Sequence, residues 1–214
     1  MQTIKHTYAN MAHAIGSVAP IRRWSDGAAQ SDAFGLGRWL ASLLAIHDVA
    51  RMVQLDCPWW NVAATRQIDA FLRARPNARV FEYGSGASTV WLARRAKEVI
   101  SVEHDQRWMG KVHALLRGFG NASLLNRERD AGAYSAAIDE FPGTFDLIVV
   151  DGRDRAACLS HAVTRLAPGG IVLFDDSGRR RYRTAIAACG LKERRFFGRS
   201  FCVPYPDHTS ILAR

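Results

Sequence analysis

Lysine is nearly missing from this chain of 214 residues: among 29 basic side chains only Lys5, Lys97, Lys111 and Lys192 are lysines. Arginine therefore carries the formal net charge of +9. Its planar fork pairs bidentately with phosphate and carboxylate, so the balance suits an anionic partner, RNA or a phosphorylated small molecule. The bland alternative is a solvated arginine-rich surface. Cysteine is sparse: Cys57, Cys158, Cys189 and Cys202 make no CxxC pair, and their spacing suggests neither zinc nor a disulfide framework. Reduced thiols in a cytoplasmic protein are the expectation. Long apolar runs are absent. The longest near the start, Trp39 to Ile46, is well short of the roughly 20 residues that span a bilayer, so no membrane association is expected. Residues 1–25 have no apolar h-region behind a basic end, and no secretory signal is expected. Internal repeats and low-complexity segments are also absent.

What is present has the composition of a folded globular protein, 48% hydrophobic and 23% charged, and the length suits one domain. Residues 1–34 are weakly patterned. From Leu36 to Leu55 apolar residues recur at helical spacing, with a polar turn between Ile46 and Met52, and a second helix is predicted from about Asn61 to Arg73, ended by Pro76 and Asn77. The rhythm then changes. Strands are predicted at 79–83, 99–103, 122–125, 145–150 and 171–174, alternating with helices that begin near Ser88, Gln106, Arg153 and Arg179. Phe145-Asp146-Leu147-Ile148-Val149-Val150 is nearly continuous apolar sequence, as in a strand buried on both faces. Alternation of this kind predicts a parallel sheet between helical layers, a Rossmann-like three-layer α/β/α sandwich. Two late strands, near 194–203 and 209–212, are joined by a loop holding Pro204 and Pro206, too short for a crossover helix, and are predicted to be antiparallel. The boundary is drawn at residue 58: an N-terminal helical extension over 1–58, and the α/β domain over 59–214.

Ligands of open α/β sheets bind beyond the carboxyl ends of the strands. Four strands here end in acidic or glycine turns: Glu82-Tyr83-Gly84, Glu103-His104-Asp105, Asp151-Gly152 and Asp175-Asp176. All fall on one edge. Gly84-Ser85-Gly86 lies between strand and helix, where glycine lets a ligand approach the backbone. Glu103 ends the next strand, about 20 residues on, where a carboxylate takes the hydroxyls of an adenosine ribose. A dinucleotide site wants a third glycine where this chain has Thr89, and Glu82 would repel a pyrophosphate. The same carboxylate suits an amino group.

Phe81-Glu82-Tyr83-Gly84-Ser85-Gly86-Ala87-Ser88 resembles the first motif of class I S-adenosylmethionine-dependent methyltransferases. Ser101-Val102-Glu103-His104-Asp105 resembles their ribose-binding acidic loop, 145–152 their fourth motif, and Leu166-Ala167-Pro168-Gly169-Gly170 the turn before their fifth strand. The resemblance covers roughly residues 60–214 and is specific for the superfamily, not for a substrate. It implies a seven-stranded, mostly parallel sheet with an antiparallel last strand and S-adenosylmethionine as cofactor. It further implies that Glu82 and Tyr83 belong to the donor site, Glu82 toward the methionine amino group. Gly84, Ser85, Gly86 and Ser88 would wrap the donor, Glu103 would bind the ribose, and His104 would border the adenine. The Arg129-Asp130-Ala131 stretch falls where the family places an adenine-edge contact, so Asp130 and Ala131 join the candidates.

Methyl transfer from a sulfonium is an in-line displacement in which orientation counts for most. A hydroxyl acceptor also has to lose a proton. Asp151, ending a central strand beside the donor site, is the candidate base and a further cofactor contact; its structural alternative is to cap the following helix. Asp151, Asp175 and Asp176 also resemble the magnesium ligands of catechol-type O-methyltransferases, which makes a divalent metal the minor option. His104, His161 and His208 are weaker base candidates. Arg153 and Arg155 flank the Asp151 turn, where they can hold a substrate anion. Trp24, Trp39, Trp59 and Trp60 precede the domain, and a helical piece there commonly covers the substrate cleft in this superfamily. The expected reaction is methylation of a small-molecule acceptor, oxygen favoured over nitrogen, since no Asn-Pro-Pro-Tyr-type tetrapeptide follows the fourth strand. Alternatives are an RNA or protein methyltransferase using the basic C-terminal surface, a non-catalytic adenosine-ligand or nucleic-acid module, and a dinucleotide oxidoreductase.

Overall fold

The computed structural model describes residues 2–214, with side chains from Thr7 onward. Five helices come first: α1 (Gln2–Ser17), α2 (Ala19–Ala28), α3 (Leu36–Leu43), α4 (Val49–Gln54) and α5 (Val62–Arg73). The alternating part follows as β1 (Arg79–Tyr83), α6 (Ala87–Ala93), β2 (Glu98–Glu103), α7 (Gln106–Leu115) and β3 (Ala122–Asn126). It continues through α8 (Ala133–Ala136), β4 (Phe145–Val150), α9 (Arg155–Thr164), β5 (Leu166–Asp175) and α10 (Arg180–Ala188), and ends in the hairpin β6 (Lys192–Ser200) and β7 (Val203–Ala213).

The strands form one seven-stranded sheet in the order β3-β2-β1-β4-β5-β7-β6. The first five are mutually parallel, and β7 is antiparallel to both β5 and β6. This is the expected three-layer sandwich. Period-two alternation explains the layering. Val80, Leu147 and Val149 pack toward α5, α6 and α7, whereas Phe81, Ile148 and Val150 pack toward α8, α9 and α10. Both faces of β1 and β4 are covered, and their buried residues are apolar apart from Glu82 at the end of β1. Strand order reverses between β1 and β4, the switch point where two crossovers diverge and a cleft opens.

A third apolar cluster joins the N-terminal helices to the tip of the β6–β7 hairpin, including Ala41, Met52, Leu55 and Cys57 with Phe201 and Cys202. Trp39 Nε1 donates to the Ser200 carbonyl at 2.9 Å, and the Cys202 amide donates to Ser42 Oγ at 2.9 Å. The buried Arg38 guanidinium organises the extension by donating to the carbonyls of Ala28 (3.1 Å), Leu55 (2.8 Å), Ala29 (2.8 Å) and Ser31 (2.6 Å).

The weakly patterned residues 2–34 hold two helices, α1 and α2, the second opened by Pro20 in its first turn. Between α3 and α4 the chain turns at His47 (φ 61°), and Asp48 restarts the helix by capping the Arg51 amide at 3.0 Å. The expectation corrected here is the loop between the late strands. Pro204 and Pro206 lie within β7, where it extends beyond β5 and has only β6 beside it, so one edge needs no donor. The turn is Phe201-Cys202, with Cys202 at φ 68°. No helix among the described residues is long and apolar enough to cross a membrane.

Candidate donor and acceptor site

The carboxyl ends of β1 and β4 meet closely. Gly84 adopts φ 91°, and a Cβ there would come within 2.7 Å of Gly152 Cα, so a side chain at 84 is excluded by both conformation and space. The Asp151 amide donates to the Tyr83 carbonyl at 3.0 Å, and the Gly84 amide to the Val102 carbonyl at 2.9 Å. These contacts bring the glycine turn, the Glu103 loop and the Asp151 turn around one cleft of about 460 Å³, within the size range of cofactor sites.

Glu82 is fully buried behind the glycine turn. Its Oε2 accepts from Thr89 Oγ1 (2.6 Å) and Ser101 Oγ (2.8 Å), while Oε1 has no partner. Burial pushes its pKa up to about 7. Thr89 Oγ1 also accepts from the Gly86 amide at 3.0 Å, so the residue that argues against a dinucleotide connects the glycine turn to Glu82. Glu103 points at the same turn. Its Oε2 accepts from the Ser85 amide (3.1 Å) and Ser85 Oγ (3.2 Å). Its Oε1 accepts from the amides of His104 (2.8 Å) and Asp105 (3.0 Å) and lies 2.7 Å from His104 Nδ1.

The cleft is thus lined by Gly84, Ser85, Gly86, Ser88, Glu103, His104 and Asp151 of the sequence candidates. Four others do not line it: Glu82 is buried behind the glycine turn, and three fall elsewhere. The Tyr83 side chain turns to the opposite face of the sheet, its hydroxyl donating to the Ser135 carbonyl at 2.7 Å, because successive strand residues point opposite ways. Asp130 and Ala131 sit in an exposed 3₁₀ turn, Ala131 at φ 52°, and neither lines the cleft. Several lining residues were missed, Trp108 and Tyr205 among them. Trp108, in the first turn of α7, donates from Nε1 to the Ser85 carbonyl at 2.7 Å; an aromatic in the first turn after the acidic loop was the available signal. Val49 and Met52 of the extension and Trp59 just after it also line the cleft.

Asp151 Oδ2 accepts from Trp60 Nε1 at 2.9 Å, and Oδ1 accepts from Arg155 Nη2 at 3.0 Å. It does not cap α9, whose N-cap is Asp154. Burial lifts the Asp151 pKa to about 6, against the pull of Arg155 and Trp60. Asp175 is raised as well, by burial and by the neighbouring Asp151 charge. Arg155 is buried and lies 3.0 Å from Asp176, 3.0 Å from Asp151 and 3.6 Å from Asp175, with further bonds to the Asp151, Gly152 and Asp175 carbonyls. The three aspartates therefore do not fit a magnesium site as they stand, because the cation between them is a guanidinium. By the same bonds Arg155 is committed to joining strand ends and has no free edge for a substrate. His161 pairs with Asp139 on an exposed face, and His208 stacks on Phe197 at 4.4 Å on the hairpin; neither lines the cleft.

The glycine turn, Glu103 and Asp151 border a cleft of cofactor size, and Glu82 is buried behind it with Oε1 unpartnered among the described residues. The chain is similar to known methyltransferases in sequence and fold. Residues 81–177 match the family model described as a methyltransferase domain. Over 68 residues the chain is 37% identical to ribosomal RNA small subunit methyltransferase A of Geobacillus sp. (strain WCH70), a stretch covering 31% of this chain and 23% of that protein. The O-methyltransferase from Bacillus cereus, solved in complex with SAH, has a similar fold with a TM-score of 0.61 and 17% identity, covering 81% of this chain and 91% of that one. An rRNA methylase from Streptococcus thermophilus gives a TM-score of 0.55 and 13% identity, covering 70% and 95%. Residues 81–177 are thus similar to a methyltransferase domain, and the fold is similar to that of an O-methyltransferase solved in complex with SAH.

Proposed function

We propose that this chain methylates an oxygen of a small-molecule acceptor, with Asp151 as the base. The observation that carries the reading is the carboxylate of Asp151, which faces the donor cleft with a pKa near 6 and is oriented from two sides by Trp60 and Arg155. A base whose pKa lies close to working pH is suited to accept a hydroxyl proton. S-adenosylmethionine, when bound, supplies a methyl group already activated by its sulfonium. The chain's part is to hold the donor with Glu82, residues 84–86, Ser88, Glu103, His104 and Trp108, to exclude water, and to take the acceptor's proton on Asp151 as the oxygen bonds to carbon. Residues 1–58 act as a cap, since Val49 and Met52 reach the cleft from α4.

The 37% identity to an rRNA methyltransferase favours RNA as the second reading, but it covers only 23% of that protein. The late arginines that would serve it are also dispersed. Arg199 lies over Trp39, Arg183 is held by Glu193 at 2.7 Å, and Arg194 sits over Phe196. The test is formation of S-adenosylhomocysteine from S-adenosylmethionine with small phenols, hydroxy acids, phosphorylated alcohols and RNA. Turnover with a small hydroxyl acceptor is expected. Turnover with RNA alone would install the second reading, and donor binding without turnover on any acceptor would indicate a binding module.

A further inference from the structure

We infer that the acceptor is a small phosphorylated molecule whose phosphate docks in an arginine-lined groove adjoining the donor cleft. This rests on the methyl-transfer reading above and names the substrate class of that site.

The groove has a volume of about 520 Å³ and is lined by Arg129, Arg153, Arg179, Arg181, Asp154 and Tyr182, among others. It shares Gly152, Arg153, Arg155 and Arg179 with the donor cleft. The two cavities therefore meet at the Asp151 turn, and a molecule anchored in one reaches the proposed base in the other.

The charges of the groove do not cancel. Arg155 is used by the aspartates, Arg179 is held by Asp176 at 2.7 Å, and Arg129 grips Asp154 with two bonds of 2.8 and 2.7 Å. That pairing consumes Asp154, the acid in the wall, and holds its carboxyl below the usual range. Arg153 and Arg181 are exposed, and neither has a salt bridge among the described residues; Arg181 lies over the Tyr182 ring at 4.7 Å. Two arginines without a salt bridge among the described residues thus line one open groove, and guanidinium forks take phosphate bidentately.

Their placement also runs against local helix electrostatics. Arg180 and Arg181 open α10, where the positive end of the macrodipole disfavours cations, and no acid offsets them in that turn. The amides opening α9 receive no side-chain cap from Asp154. Both helices begin at this groove. A bound anion relieves the repulsion and satisfies uncapped amides at once. Of the other late arginines, Arg199, Arg194 and Arg183 engage Trp39, Phe196 and Glu193 on other elements, away from the groove.

The probe is inorganic pyrophosphate, titrated into the full chain in the presence of saturating S-adenosylhomocysteine and followed by calorimetry. Wild type should bind it. Arg181→Ala should weaken that affinity about tenfold, Arg181→Lys less, and Arg181→Glu more, with S-adenosylhomocysteine affinity within about twofold of wild type because Arg181 lies outside the donor cleft. Arg195→Ala, on β6, should leave pyrophosphate binding unchanged. The inference is overturned if wild type does not bind pyrophosphate at millimolar concentration, or if the Arg181 variants bind it like wild type. It is equally overturned if a short RNA binds and loses affinity with Arg195→Glu but not with Arg181→Glu. Failure of S-adenosylhomocysteine to bind would instead sink the donor reading, and the pyrophosphate titration would still be readable without it.

Discussion

Trp60 Nε1 and Asp151 Oδ2 are joined by a 2.9 Å hydrogen bond between residues 91 positions apart. Trp60 is fully buried, packs edge-on against Trp91 with ring centroids 5.8 Å apart, and its carbonyl accepts from the Phe201 amide at 3.0 Å. The indole is thus fixed by both the central domain and the hairpin tip, and it fixes the Asp151 carboxylate in turn. Trp60→Phe keeps most of the packing and deletes the donor. The expected result is a fall in kcat of about tenfold and an upward shift of the acidic limb of the pH profile, since losing a donor to a carboxylate disfavours its ionised form.

Asp151→Asn should reduce kcat by about 10²- to 10⁴-fold, the usual contribution of a general base, with donor affinity nearly unchanged. In wild type the rate should rise with pH through about 6, where Asp151 loses its proton. Full turnover by the asparagine variant would remove Asp151 from the chemistry.

Glu103 is the anchor assigned to the ribose, and Glu103→Ala should weaken S-adenosylhomocysteine binding at least about tenfold. Trp108→Leu, which takes an aromatic wall from the same side of the cleft, should cost a few-fold. Calorimetric titration measures both, and wild-type affinity in Glu103→Ala would discard the ribose contact.

Glu82 predicts a conflict between stability and binding. Its folded-state pKa, about 7, lies above the ordinary glutamate value. The folded chain therefore binds more protons than the unfolded one between about pH 4.5 and 7, and stability falls as pH rises through that window. The shift corresponds to on the order of 3 kcal/mol at most. Glu82→Gln should flatten this dependence and raise Tm at pH 8 while weakening donor binding. Chemical denaturation at pH 5 and pH 8 checks the first effect. A pH dependence identical to wild type would show that Glu82 does not carry it.

Arg38 should matter to stability alone. Arg38→Met deletes the donors to four carbonyls in a buried position, at a cost of about 3 kcal/mol or more. Urea denaturation should show that loss, while folded variant should retain the donor affinity of wild type. A loss below 1 kcal/mol, roughly one ordinary hydrogen bond, would mean that the extension is held by its apolar contacts.

Short-range pattern carried much of this. The apolar run Phe145–Val150, the strand–glycine–helix sequence around Gly84, and acids at four strand ends needed only period-two alternation and a fixed chain direction to place them on one edge. The side of Tyr83 was readable too: if Glu82 faces one layer, its neighbour faces the other. The split of 36–55 into α3 and α4 left a weaker trace, because His47 and Asp48 interrupt without proline or glycine.

Local order in the chain sufficed for the layered sheet, the glycine turn, and the acidic strand ends that border the candidate cleft, because each depends on neighbours within a few residues. Three-dimensional packing alone decided that Arg155 stands among three aspartates, that Trp60 reaches Asp151, that Trp108 closes over Ser85, and that a run of late arginines is divided between a groove and an edge strand. Those outcomes depend on contacts between distant segments, and the direction of a long side chain is set by what surrounds it in space.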